Sequence, residues 1–232
     1  MKGKSRLTYA TFLAAYLTAT IAASQENRVV DPSVNERFRN PDVEAVVESL
    51  ERESRPVYKY RHAIVAALGL ESGDDVADVG AGSGFMARLI AGEVGPDGQV
   101  YAVDIAPETI DHIEAAAREE GITNIKGILG GARTTHLPPD SVDLVLVCDT
   151  YHHFEYPSDV MASIAAALRP EGRLVLIDYE RIRGVTSESR YEHLRAGKGT
   201  FTDEIKDAGF DLEKELPLVP ESYFLVFRKR SP

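Results

Sequence analysis

Three alternating glycines opened by an acid, Asp78-Val79-Gly80-Ala81-Gly82-Ser83-Gly84, are the residues of this chain best suited to hold a ligand. They follow a short apolar run and precede a helix-like stretch, Phe85 to Glu93. A strand feeding a glycine turn and then a helix places backbone N–H groups and a positive dipole end beside a bound group. Glycine also lets a ligand approach the main chain where a side chain would collide. Two neighbouring motifs fail on spacing. The dinucleotide fingerprint needs a third glycine five positions after the first, where this chain has Phe85. A phosphate-cradling loop ends in Gly-Lys-Ser/Thr, and no lysine lies near this turn.

The segment resembles motif I of the class I, Rossmann-like S-adenosylmethionine (AdoMet) methyltransferases. AdoMet presents an amino-acid head, a ribose with two free hydroxyls, an adenine and a sulfonium, so an acidic opening and a cation-free loop suit it. The resemblance implies a cofactor site at Asp78, Gly80, Ala81, Gly82 and Gly84, with Asp104, Ile105 and Asp149. A structural glycine turn in some other α/β domain is the competing reading. Val100 to Asp104 reads as the next strand, and Asp104 at its C-terminal end stands 20 residues beyond Gly84. A carboxylate there accepts from both ribose hydroxyls, or else it caps the helix expected from Glu108 to Glu120. Gly95-Pro96-Asp97-Gly98 is a turn between the two strands and completes a βαβ unit.

The elements that must carry these residues follow the same alternation. Strands are expected at Asp75–Val79, Gln99–Asp104, Asn124–Leu129, Asp143–Val147 and Arg173–Asp178, with helices between, including Pro157 to Leu168. A short helix from Phe201 to Ala208 then precedes a hairpin of Phe210–Glu215 and Tyr223–Phe227. The resemblance covers about Val57 to Arg230 and implies an α/β fold: a mostly parallel seven-stranded sheet, helices on both faces, the last strand antiparallel between the fifth and sixth. It continues at Leu137 to Leu144 and at Leu168-Arg169-Pro170-Glu171-Gly172-Arg173-Leu174, where Glu171 replaces a common glycine. Family members often carry an acid after the third strand for the adenine amino group. This chain has Gly130-Gly131-Ala132-Arg133, which leaves backbone groups or Arg133 stacking.

Ligands of open parallel sheets sit outside the carboxyl edge, so chemistry is expected where strands four and five end. Strand four runs into Cys148-Asp149-Thr150-Tyr151-His152-His153-Phe154 and strand five into Asp178-Tyr179-Glu180. Methyl transfer is an in-line displacement governed by alignment and exclusion of water. A base is needed only if the acceptor arrives protonated. His152 or His153 is the candidate base, with Asp149 and Tyr151 at the methyl-donor end, although adjacent histidines can simply be capping residues. Glu180, Arg183, His193 and Arg195 form a polar loop expected to contact an anionic or polar acceptor. No metal is expected: adjacent histidines point in different directions, and no spacing such as His-Glu-x-x-His is present.

At 232 residues and 44% hydrophobic content the chain can build one full α/β core. A net charge of −11 argues against a nucleic-acid partner. Single Cys148 excludes an internal disulfide. Residues 1–24 read as a signal peptide: Lys2, Lys4 and Arg6, an uncharged stretch from Leu7 to Ala23, and small residues at Ala22-Ala23-Ser24. Four threonines dilute that stretch, so export is expected rather than a stable membrane span, with an uncleaved anchor or a cytoplasmic helix as alternatives. Residues 25–55 are polar, with a helix from Val43 to Glu51, and are expected to cover the cofactor; residues 56–232 form the catalytic domain, opened by a helix over Tyr58–Leu70. The expected activity is AdoMet-dependent methylation of a small or medium-sized molecule. A noncatalytic AdoMet-binding protein and a nicotinamide oxidoreductase of similar fold are the alternatives. Acceptor and oligomeric state are not readable.

Overall fold

The computed structural model describes residues 28–230; the expected leader lies outside them. Among the described residues, no helix is long and apolar enough to cross a membrane. Seven strands form one sheet: β1 (Val76–Val79), β2 (Val100–Asp104), β3 (Ile125–Leu129), β4 (Val142–Cys148), β5 (Leu168–Tyr179), β6 (Phe210–Leu216) and β7 (Ser222–Lys229). Their order is β3-β2-β1-β4-β5-β7-β6. Pairs from β3 to β5 are parallel, and β7 lies antiparallel between β5 and β6. The expected sheet is present. Order reverses between β1 and β4, which opens a crevice at their carboxyl ends.

Strand β4 shows why the sheet is buried on both faces. Leu144 and Leu146 join a cluster with Ile64, Leu68, Met86 and Ile90, while Val145 and Val147 face Met161, Ile164 and Phe201. Helices α1 (Val43–Leu50), α2 (Arg61–Leu68), α3 (Phe85–Val94), α4 (Pro107–Glu119), α5 (Pro157–Ala167) and α6 (Lys198–Asp207) supply those layers. Local chemistry sets their ends. Asp42 accepts from the Ala45 N–H at 3.2 Å to start α1, and Pro107 and Pro157 open α4 and α5, where no intrahelical N–H is needed. Gly69, at φ 61°, closes α2 in the left-handed region. The single helix expected over Tyr58–Leu70 is instead two pieces, Pro56–Lys59 and α2. Pro56 starts the first piece early, and the chain breaks at Tyr60, which with Tyr58 packs against the core.

A second difference concerns the start of β5. Leu168 already pairs with Val142, and the register then jumps so that Arg173 faces Leu144. Residues 169–172 bulge out between these pairs rather than forming a turn ahead of the strand. Within the bulge Arg169 contacts Asp75 at 2.6 Å and Asp143 at 2.5 Å, tying β5 to the approaches of β1 and β4 at the sheet end remote from the crevice. Glu171 sits at φ 63°. That conformation costs an L-residue about 1–2 kcal/mol, part of which glycine returns as chain entropy. Glu171→Gly is therefore expected to stabilise the protein by about 0.5–1 kcal/mol, read as a higher urea midpoint at unchanged slope. A lower midpoint would show that the Arg228 contact of Glu171, 3.8 Å away, outweighs the backbone strain.

Candidate functional site

The crevice between β1 and β4 leads into a cavity of about 400 Å³, within the range of small-ligand sites. Gly80 and Gly82, with Ala81 between them, form one wall; these two glycines and Gly84 behind them stand at φ 79°, 55° and 74°. Their need for glycine is partly internal. A Cβ on Gly80 would lie 2.3 Å from Thr150, and one on Gly84 2.9 Å from Ile113. At Gly82 it would meet Leu50 of α1 at 2.6 Å.

Asp104 ends β2 and organises this loop. Its Oδ2 accepts from Gly82 N–H at 3.0 Å and its Oδ1 from Ile105 N–H at 2.8 Å. Neither proposed role is exclusive, because a carboxylate offers about four acceptor positions. Asp78 is buried, and its Oδ2 has no hydrogen-bond partner. Burial and the nearby Asp104 charge push its carboxyl up to about 7, against the pull of the Ala87 N–H. A buried acceptor oxygen without a donor, beside a loop built for close approach, suits a cationic ligand group.

Residues 28–55 close the other side. Asn35, Phe38, Pro41, Val46 and Leu50 line the cavity opposite the glycine loop. Glu155, buried just after the Tyr151–His153 turn, clasps this segment. It accepts from Asn35 Nδ2 at 3.0 Å, pairs with Arg39, and lies 3.6 Å from Arg28. Its carbonyl takes the Val29 N–H at 2.8 Å. Arg55, which the sequence did not single out, also lines the cavity and reaches Asp149 Oδ2 at 2.6 Å. Its position ahead of Pro56 marks only a helix start, so spacing offered no signal. Asp149 stands at φ 51° directly after β4. Burial pushes its carboxyl up, while Arg55 draws it down.

The Tyr151–His153 turn sends its side chains to different places. Tyr151 is fully buried against Phe154 and Phe201 and does not line the cavity. His152 is buried too, with Nδ1 2.8 Å from Asp178 Oδ1. Burial opposes its charge, but the Asp178 carboxylate outweighs that and holds it above the usual histidine range. His153 lines the cavity, and its Nδ1 lies 3.0 Å from Asn35 Oδ1. Burial, then the neighbouring His152 and His193, drive it down to about 2, which makes it a weak base. His193 closes the group, its ring 5.2 Å from His152 and 5.1 Å from His153. The expectation that the adjacent histidines diverge is corrected here: their rings are 4.1 Å apart at 42°. Acceptors on two separate elements, Asp178 and Asn35, turn them towards each other.

Other expected acceptor contacts are engaged elsewhere. Arg195 makes two bonds to Glu204, at 2.8 and 2.6 Å, so its charge is used within the fold. Glu180 accepts from Lys198 at 3.2 Å, and Arg183 lies over the Tyr191 ring. None of the three lines the cavity. Arg133 is likewise directed away from the adenine end: it pairs with Asp159 and covers Tyr156 at 3.5 Å. Gly130, Gly131 and Thr134 line the cavity there, leaving main-chain groups for a base. Burial raises the Cys148 thiol well above its usual range, in keeping with packing.

Comparison with known proteins agrees with this geometry. Residues 77–176 match the family model described as a methyltransferase domain. A protein-L-isoaspartate O-methyltransferase of Methanococcus aeolicus is 40% identical over 67 residues, covering 29% of this chain and 31% of that protein. Another, from Methanopyrus kandleri, is 30% identical over 145 residues, covering 60% and 62%. The solved structure of a SAM-dependent methyltransferase from Aquifex aeolicus shares the fold at a TM-score of 0.72 and 20% identity, covering 82% of this chain and 100% of that one. Further curated relatives are also spanned only in part, at 33% and 40% of their length.

Proposed function

We propose, since the chain belongs to the class I, Rossmann-like AdoMet-dependent methyltransferase family, that it transfers the AdoMet methyl group to a small or medium-sized acceptor. The observation that carries this reading is the unpartnered Asp78 Oδ2 beside the Gly80–Gly84 loop, in a cavity of ligand size. When bound, AdoMet supplies a methyl group on a positively charged sulfonium. Asp78 would hold the α-ammonium and Arg55 the α-carboxylate, exchanging its bond to Asp149 for one to the ligand. Spare acceptor positions on Asp104 suit the ribose hydroxyls, with Ile105 and Ala81 as apolar walls. Residues 28–55 exclude water, which favours displacement over hydrolysis. His153, with His152 and His193 behind it, forms the end of the cavity at which the acceptor would be received and aligned.

Calorimetry with AdoMet and with NAD, followed by label transfer from methyl-labelled AdoMet into a metabolite extract, tests the reading. AdoMet binding with transfer is expected. No affinity for AdoMet or its demethylated product would overturn it. The pH dependence has a definite sign. With Asp78 near 7 in the free protein, a bound ammonium requires the carboxylate, so binding expels a proton below that pH. Affinity is expected to be flat above pH 7 and to weaken below it, by at most about tenfold per pH unit. Asp78→Asn removes the slope. A wild-type affinity that is unchanged between pH 6 and pH 8 would remove Asp78 from the ammonium site.

A further inference from the structure

We infer that His152, His153 and His193 form a binding site for one divalent transition-metal ion, with zinc as the ion best matched to the donor set. The three come from two elements, the turn after β4 and the helix Glu188–His193. One nitrogen of each lies within 4.8 Å of those of the others. Zinc–imidazole bonds of about 2.0–2.1 Å at tetrahedral angles put ligand nitrogens about 3.4 Å apart, so ligation needs a closure of up to about 1.4 Å.

Two supporting contacts go beyond proximity. Asp178 takes the His152 Nδ1 proton at 2.8 Å and Asn35 Oδ1 the His153 Nδ1 proton at 3.0 Å. In His153 this leaves Nε2 as the free lone pair, and in His152 an incoming ion takes Nε2 by releasing its proton to solvent. Asn35 cannot flip its amide without cost, because its Nδ2 is committed to His153 O at 2.9 Å and to Glu155. Carboxylate and amide acceptors on the far nitrogen are what orient metal-ligating histidines. A purely structural role for the trio would not require a ligand-capable nitrogen of each ring within 4.8 Å of the others. Three imidazoles, neutral once bound, with no fourth protein ligand grouped with them among the described residues, match sites that keep an open position, and imidazole donors favour zinc over hard cations. His153 belongs to both the trio and the cavity wall, so the ion would stand at the edge of the cavity, its open position available to water or to an oxygen or sulfur donor.

Metal binding is read without AdoMet, so its failure is separable from failure of the methyl-transfer reading. Tag-free full-length protein, stripped with chelator, is titrated with Co²⁺ and Zn²⁺. One equivalent of Co²⁺ is expected, with visible bands of a four-coordinate ion that zinc displaces. His193→Ala is expected to weaken binding at least a hundredfold and Asp178→Asn about ten- to a hundredfold, with circular dichroism checking that each variant is folded. His153→Gln provides a second ligand variant should His193→Ala fail to fold. Binding of neither ion at one equivalent overturns the inference. So does binding that is unchanged in a folded His193→Ala or His153→Gln variant.

Discussion

Asp104→Ala is expected to lower AdoMet affinity at least about a hundredfold. A carboxylate bound to two hydroxyls makes charge-assisted bonds of about 1.5–3 kcal/mol each, and about 2.7 kcal/mol already corresponds to a hundredfold. The variant also strips Gly82 and Ile105 of the acceptor for their N–H groups, so the loop loses its shape together with the ligand contact. Asp104→Asn keeps a carbonyl for one of those donors and should lose less, about tenfold. Calorimetry on both, with circular dichroism as control, separates the two roles left open by the sequence. If a folded Asp104→Ala binds AdoMet within tenfold of the wild type, Asp104 only caps the approach to α4.

The second large effect is expected at a residue on the cavity wall whose side-chain bonds all go to the covering segment. Glu155 is buried and holds Asn35, Arg39 and Arg28 together. Removing one partner of a buried pair costs about 3–5 kcal/mol; with Arg28 and Arg39 each about one-third exposed, about 2 kcal/mol is the appropriate figure. That energy is lost from docking residues 28–55, not from the sheet. Glu155→Ala should therefore open this segment to protease while the remaining domain resists digestion. AdoMet should bind about tenfold more weakly, because the binding-competent state is then only partly populated. Equal protease sensitivity of wild type and variant would show that the segment is held mainly by its apolar contacts.

How much of this was legible depended on the range of the signal. The glycine turn, Asp104 and the strand–helix alternation are local, so residues a few positions apart reveal them. Five strands followed from that alternation and two more from a hairpin pattern, while the single seven-stranded sheet and its antiparallel last strand followed from resemblance. Arg55, Asn35 and Glu155 were not visible, because each acts on a partner 94 to 120 positions away. The histidine group was half-seen: adjacency suggested divergence, and only the positions of Asp178 and Asn35 turn the rings together. Tyr151 and Arg195 looked functional because their types are common in sites, yet Phe201 contacts both and holds them in the packing of the fold.

Leu50 of α1 sits where a side chain at Gly82 would have to be, and Asn35 is fastened to a glutamate 120 residues later in the chain. Both facts bear on the order in which the molecule is made. Residues 28–55 are made before the residues that receive them, since Gly82 and Glu155 both come later in the chain. Their apolar face is without a berth during most of synthesis, a period in which hydrophobic segments are prone to wrong association. The covering stretch is made before the residues that hold it, so the finished pocket must await the synthesis of Glu155.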